Sequence, residues 1–272
     1  MILMIKNNTM KITTISYAVL ALLLLSILAA CNKGDDNFLY KGDMLPVTLS
    51  GYNGSGEEME ITLDTFRFGA PIGSGTFSLT EAYIFPENKN TVTLRVHETS
   101  TGKLVLEKEL KKEDGEAKIR FMYMNDKISD MPEMPAVEEG KIKISYMFKP
   151  TATNYSGPVD IVLGKYYFIP KVFEEIATIK NANPYEFTSL VTIPTFSTVG
   201  QQYNGQNTPV LFVVYLYKAG TKELYTTGTE YTWHATSSTA PKPPSSVASS
   251  KLYIFSEAPE GNTMRFRKDL EL

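Results

Sequence analysis

Apolar residues fall at every second position through much of the first half of this chain. In Glu58-Met59-Glu60-Ile61-Thr62-Leu63-Asp64 each apolar side chain stands between two acidic or hydroxyl ones. Val92, Leu94 and Val96 alternate with Thr93, Arg95 and His97, and Ala117, Ile119, Phe121 and Tyr123 alternate with Glu116, Lys118, Arg120 and Met122. Ile142, Ile144, Tyr146 and Phe148 repeat the pattern against Lys141, Lys143, Ser145 and Met147. Successive strand residues point to opposite faces, so this period of two marks half-buried antiparallel strands. Gly, Asn and Asp cluster between the runs: Gly51 to Gly56, Gly69 to Gly75, Glu87 to Asn90, Thr101-Gly102 and Asp114-Gly115. Such clusters are turn signals. With Leu45–Ser50, Ser78–Phe85 and Leu104–Leu110, about seven strands precede Pro150, the spacing of a β-sandwich of the immunoglobulin-like kind.

The second half is less regular. Val210-Leu211-Phe212-Val213-Val214-Tyr215-Leu216-Tyr217 is an unbroken apolar run, the pattern of a central strand covered on both faces. Further strands are expected at Val159–Leu163, Tyr166–Ile169, Glu186–Ile193, Glu223–Thr227, Lys251–Phe255 and Met264–Arg267. Between Val172 and Lys180 the residues Val172, Ile176 and Ile179 match one face of a helix that Asn183-Pro184 would stop, so one short helix is predicted there. Val96–Leu104 and Leu216–Leu224 echo each other as strand, Thr/Gly/Lys turn and return strand; a duplicated module and ordinary hairpin chemistry account for this equally well. The polar stretch from Lys149 to Pro158, holding Pro150, Gly157 and Pro158, is the expected boundary, and Thr236 to Ser250 is a long Ser/Pro/Ala loop of the kind that carries function. The expected fold class is all-β: two antiparallel β-sandwich modules, 44–150 and 151–272, after a cleaved leader and tether.

The N-terminus carries the most specific motif. Lys6 and Lys11 precede a stretch from Ile12 to Ala30 without a charge, whose apolar centre is Tyr17–Leu25. A spanning helix needs about 20 mostly apolar residues, and Ile15 to Ala30 falls short, so the segment reads as a signal peptide. It ends in Leu28-Ala29-Ala30-Cys31, and Cys31 is the single cysteine of the 272-residue chain. This tetrapeptide resembles the lipobox of bacterial lipoproteins. The resemblance implies removal of 1–30, lipid on Cys31, a tether over 31–43 and an outer-membrane location. Each buried methylene contributes about 0.8 kcal/mol, so two or three acyl chains anchor a protein firmly. Met10, directly before Lys11, is a possible start beside Met1 and Met4. Asn32-Lys33-Gly34-Asp35-Asp36-Asn37 is similar to the acidic export signal of surface-exposed Bacteroidota lipoproteins, which implies an outward-facing domain; a periplasmic domain on a plain solvated spacer is the alternative.

Charge and composition narrow the partners. The formal net charge is −3 and grows more negative once Lys6 and Lys11 leave with the leader. No basic run points to nucleic acid. A 43% apolar and 21% charged chain buries a real core, and 16 Tyr and 14 Phe favour strands. With Cys31 lipidated, no thiol is left for a disulfide, a nucleophile or a metal. The two histidines, His97 on a polar strand face and His234 beside Trp233, form no spaced pair; no metal and no cofactor is expected beyond the covalent lipid, and haem capture ranks low. There is no Gly-x-Ser-x-Gly elbow or phosphate loop. The acid pairs Glu57-Glu58, Glu138-Glu139 and Glu174-Glu175 read as solvated turns, and Met131-Pro132-Glu133-Met134-Pro135 as an extended connector. No catalytic residue is assigned, and an enzyme is the least favoured class.

Aromatic residues give the binding candidates. Tyr217, Tyr225, Tyr231 and Trp233, with Tyr215 nearby, gather around the 218–229 turn and the strand into the long loop. Aromatic faces beside polar groups suit sugar rings, and Trp233 is the foremost candidate. The first expectation is a non-enzymatic, membrane-tethered module binding an external glycan or other nutrient. The second is a structural or adhesive subunit similar to fimbrillin-like lipoproteins, with an envelope protein as partner. In that family proteolysis after a basic residue frees a strand groove, and Arg67, the first arginine, follows an alternating strand.

Overall fold

A computed structural model describes residues 44–272; the leader, Cys31, the acidic tether and the alternative starts lie outside the described residues. The strands run in chain order as β1 Met44–Asn53, β2 Met59–Leu63, β3 Phe66–Arg67, β4 Gly75–Ile84, β5 Thr91–Glu98, β6 Leu104–Lys111, β7 Ala117–Met124, β8 Lys127–Ser129 and β9 Lys141–Lys149. They continue as β10 Val159–Tyr167, β11 Val172–Ala182, β12 Val191–Pro194, β13 Gln202–Tyr203, β14 Gln206–Asn207, β15 Val210–Lys218, β16 Ser249–Glu257 and β17 Phe266–Glu271. Among the described residues the one helical element is the 3-10 turn Lys112–Asp114, so the chain is all-β, as its alternation predicts.

Two compact units emerge. The first holds residues 44–49, Met59–Ile72 and Ser78–Ile119; the second holds Ser50–Glu58, Gly73–Phe77 and Arg120–Leu272. The polar 149–158 stretch lies inside the second unit and joins β9 to β10. In one sheet β1 runs between β4 and β7 in the order β4-β1-β7-β8, and a second sheet, wholly within the first unit, has the order β3-β2-β5-β6. Leu45, Val47 and Leu49 of β1, Ile61 and Leu63 of β2, and Val92, Leu94 and Val96 of β5 are all buried. These are the apolar partners of each alternating run, so one face of each sheet is the core face.

The second unit is a sandwich of β12-β9-β16-β17 against β11-β10-β15. Tyr146 and Phe148 of β9, Ile161 and Leu163 of β10, Phe212 and Val214 of β15, and Tyr253 and Phe255 of β16 form one buried cluster. The opposite side of β9–β16 is covered as well: Met147, Leu252, Ile254 and Leu270 pack with Tyr52, Met122, Met124 and Met131. Met131 therefore anchors the connector predicted around it, with Met134 packed alongside. A strand covered on both faces has little polar alternation to show, and β16, buried at every position from Leu252 to Phe255, reads less clearly than β9, where Lys141, Lys143 and Ser145 keep the pattern.

Three expectations are corrected. The predicted helix at Val172–Lys180 is β11, paired antiparallel along β10 from Val159↔Ala182 to Tyr167↔Val172. The architecture is not purely antiparallel, because β16 runs parallel to β9 from Ser249↔Ile142 to Ser256↔Lys149. The apolar run β15 is an outer strand of its sheet rather than a central one. Its free edge is closed by the chain that follows it: the Val214 N–H donates to Thr239 Oγ1 at 2.8 Å, the Ala240 N–H to the Val214 carbonyl at 3.0 Å, and the Tyr225 N–H to the Leu216 carbonyl at 3.2 Å. The expected strand at Glu223–Thr227 is part of this wrapping segment, bridged to β15 at Tyr217↔Leu224 alone. The two echoing hairpins share turn chemistry: the Glu98 N–H reaches Lys103 and the Lys218 N–H reaches Glu223, while Thr101 and Thr221 hydroxyls accept from the backbone inside each turn.

Candidate functional site

The outward face of β11-β10-β15 carries the groove best placed to take a ligand. On β10 the inward residues are Val159, Ile161 and Leu163, which leaves Asp160, Val162 and Gly164 pointing out. Val162 pairs with Tyr215 on one side and Thr178 on the other, and Gly164 pairs with Glu175. A cavity of about 380 Å³ opens here, lined by Asp160, Glu175, Thr178, Lys180, Thr221 and Lys222 among others. The 218–222 turn forms its rim.

Each charged group is held in place. Both Asp160 oxygens accept backbone N–H groups at 2.9 Å, from Asn181 and from Gly220, so this carboxylate fixes the β11 end and the rim turn together. Glu175 accepts from the Thr178 hydroxyl and pairs with Lys222 at 3.0 Å. Those bonds, Thr178 first and then Lys222, hold its carboxyl below the usual range. The lining has two acids and two lysines, and its charge cancels. Gly164 lies next along the same outward face of β10, beyond the groove lining. A Cβ there would lie 2.3 Å from the Glu174 carbonyl oxygen and 2.4 Å from the Phe173 ring, so the glycine lets that ring lie down on the strand and meet Tyr215 at 4.5 Å between centroids.

The four aromatic candidates separate. Tyr217 stands on the outward face beside Tyr215, 6.4 Å between ring centroids. Its hydroxyl is pushed up, first by burial and then by the nearby Glu175 charge. Its register partner on β10 is Asp160, so Tyr217 flanks the groove from β15 without belonging to its lining. Tyr225 is fully buried, and no sugar ring reaches it; its hydroxyl donates to Glu257 at 2.8 Å, and burial raises it far above the ordinary tyrosine range. Tyr231 and Trp233 are partly buried against the core. Trp233 packs perpendicular to Tyr215 and to Tyr225 and tilted against Phe266 at 5.9 Å, so the indole is engaged in packing on several sides. Its indole N–H is buried with no acceptor.

His97 lies half-exposed on β5, outside the core face. His234 caps a turn: its Nδ1 lies 3.3 Å from the Ser237 N–H, and its own N–H donates to Ser238 Oγ at 2.8 Å. Arg67 is exposed on β3 and paired with Glu60 at 2.6 Å, while the next residue, Phe68, is buried and bonded to Ile61. Among the described residues no cluster of three His, Cys, Asp or Glu side chains suits a metal, and no helix is long and apolar enough to cross a membrane.

Sequence reasoning missed Asp160, because one acid in an apolar run gives no hint that its partners are two distant backbone amides. It also missed Glu257, a buried carboxylate without an ion-pair partner among the described residues. Its oxygens accept from the Ala152 and Thr153 N–H groups, both at 2.7 Å, from the Thr153 hydroxyl at 2.6 Å and from Tyr225.

No family model and no curated protein matches the chain. Among solved structures, a leucine-rich repeat protein from Bacteroides thetaiotaomicron is 12% identical, covering 67% of this chain but 26% of its own length, with a TM-score of 0.16. The family 26 carbohydrate-binding module of Eubacterium rectale Amy13K, solved with maltoheptaose, is 9% identical over 84% of this chain and 97% of its own, with a TM-score of 0.18. Likenesses this slight leave the reading of function to the geometry of the groove.

Proposed function

We propose that the protein is a non-enzymatic binding module, lipid-anchored through Cys31 on the outer surface of a bacterial envelope, and that it takes a neutral glycan on the outward face of β11-β10-β15. The observation that supports this reading is the groove itself: Tyr217 stands beside an acid–base lining of zero net charge, anchored by backbone bonds. Aligned carboxylate and ammonium groups accept from and donate to sugar hydroxyls, and an aromatic face beside them covers the C–H face of the sugar. A charge-balanced lining favours an uncharged ligand, because an ionic one would leave one charge unpaired.

A glycan array probed with the mature protein tests it. Tyr217→Ala and Lys222→Ala are each expected to weaken binding of a neutral oligosaccharide about tenfold, equivalent to about 1.4 kcal/mol. Trp233→Ala is expected to lower stability more than affinity. An array with no neutral binder, or Tyr217→Ala binding like the wild type, would sink the reading. Digestion of the domain by protease added to intact cells checks the surface location; protection until lysis would put it in the periplasm.

A fimbrillin-like subunit is the second reading, favoured by one observation. β1 is the first described strand and lies inside a sheet, between β4 and β7, so cleavage after Arg67 would detach its segment from the chain and free a strand groove. N-terminal sequencing of the protein from cells is expected to find no chain starting at Phe68 if glycan capture is the function; a major species starting there makes assembly the function instead.

A further inference from the structure

The long 236–250 segment encloses a second cleft, separate from the groove. The segment is pinned at two points along its middle: the Tyr146 hydroxyl donates to the Pro241 carbonyl at 2.9 Å, and the Phe196 N–H to the Ser245 carbonyl at 2.7 Å. Beneath it lies a cavity of about 400 Å³ lined by Lys242, Pro243, Pro244, Val247, Ser249, Lys251, Tyr253, Glu271 and neighbours including Val137. Ser249, Lys251 and Tyr253 share one face of β16, by the alternation of the strand.

Lys242 is the unusual group. Its ammonium donates to Thr239 Oγ1 at 3.2 Å, and no carboxylate among the described residues pairs with it. Burial pulls its pKa down to about 8. Ser249 Oγ is buried with no hydrogen-bond partner. A desolvated cation and an unsatisfied hydroxyl each cost free energy in the empty protein, and a ligand supplying both partners recovers that cost. The rim adds to the demand. Lys251 pairs with Glu271 at 2.9 Å, and Lys268 also reaches Glu271, so the acid is already shared and the lining keeps one uncompensated positive charge.

We propose that this cleft binds a uronic-acid unit, with Lys242 receiving the carboxylate and Ser249 a ring hydroxyl. The volume suits one sugar ring, Pro243, Pro244 and Val247 cover an apolar C–H face, and the Lys251–Glu271 pair offers a donor and an acceptor at the rim. This cleft and the charge-balanced groove differ by one unpaired ammonium, and so differ in the charge of the sugar they select.

Calorimetric titration of the mature protein with D-glucuronate, tri-galacturonate and neutral glucose tests this. Glucuronate or tri-galacturonate is expected to bind, and glucose is not; binding of the trimer alone would identify a polymer end rather than a free acid as the ligand. A bound carboxylate favours the charged lysine, so affinity is full below about 8 and falls as pH rises, by about tenfold per unit once Lys242 is neutral. The facing groups do not mimic this step: Glu271 is held below the usual range, by Lys268 first and then Lys251, and Tyr253 is raised by burial. Lys251→Met keeps the pH step, Lys242→Met abolishes uronate binding, and Lys242→Arg binds without the step because a guanidinium stays charged. Glucose binding as tightly as glucuronate, an unchanged affinity in Lys242→Met, or no uronate binding at all would each overturn the proposal. Tyr217→Ala leaves uronate binding intact, so this cleft and the neutral-glycan groove fail independently.

Discussion

Replacing Glu257 by alanine is expected to remove about 3–5 kcal/mol from the stability of the second unit. The carboxylate is 5% exposed and accepts four hydrogen bonds, two from backbone amides and two from hydroxyls. Alanine would leave the Ala152 and Thr153 N–H groups, the Thr153 hydroxyl and the Tyr225 hydroxyl without an acceptor, and each buried orphan costs about 1–3 kcal/mol. The location magnifies the loss. Glu257 ends β16, Thr151 to Thr153 follow β9, and Tyr225 belongs to the segment that closes the edge of β15. One side chain therefore ties the exit of both strands of the parallel pair to the wrap around the opposite sheet. Domains of this size are stable by about 5–15 kcal/mol, so the variant should denature at far lower urea. Tyr225→Phe removes one donor and leaves the carboxylate with three, for an expected loss of about 1–2 kcal/mol. A Glu257→Ala loss below about 1 kcal/mol in urea titration would show that the network is dispensable.

How much of this was legible in the sequence follows from where each strand is buried. The first-unit strands β2 and β5, and the start of β7, have a wet face and a dry one, and their alternation shows it. The strand β11 hid behind two bulges. Its pairing with β10 shifts register between Val159 and Ile161 and again between Leu163 and Gly164, so its core-facing residues fall at Ala177, Ile179 and Ala182, with Ile176 packed against the same cluster. A bulge inserts one residue and turns a spacing of two into three, and a spacing of three and four is what a helix face looks like. The groove was half legible. Tyr217 was visible as an aromatic beside a turn, yet Trp233 and Tyr225 carried the same signal and turned out to be packing residues. Aromatic identity does not say which face of an outer strand a ring takes. Glu257 and Asp160 gave no signal, because both partners of Asp160 and two of the four of Glu257 are backbone amides tens of residues away, and amides leave no mark in a sequence.

Gly51→Ala is the second large effect, with an expected cost of at least about 4 kcal/mol. The glycine belongs to a run of turn residues, Gly51 to Gly56, and looks like the start of a loop, yet β1 continues through it to Asn53. Its φ is +152°, and a Cβ built on it would sit 1.7 Å from the Phe121 carbonyl oxygen. That oxygen is backbone on the neighbouring strand β7, so no rotamer relieves the clash and the two strands would have to part. Parting them moves Tyr52, Met122 and Met124, the next residues on each strand, out of the cluster that covers Met147 and Ile254. Gly115→Ala provides the comparison. Its φ is also positive, at +69°, with ψ at −124°, but nothing lies within 4 Å of its would-be Cβ, so the substitution meets only backbone strain of about 1–3 kcal/mol. Thermal denaturation of the two variants side by side separates the causes. If conformation alone made Gly51 necessary, both would lose the same few degrees; if contact with the Phe121 carbonyl is what forbids a side chain, Gly51→Ala fails to give a cooperative transition while Gly115→Ala melts only slightly early.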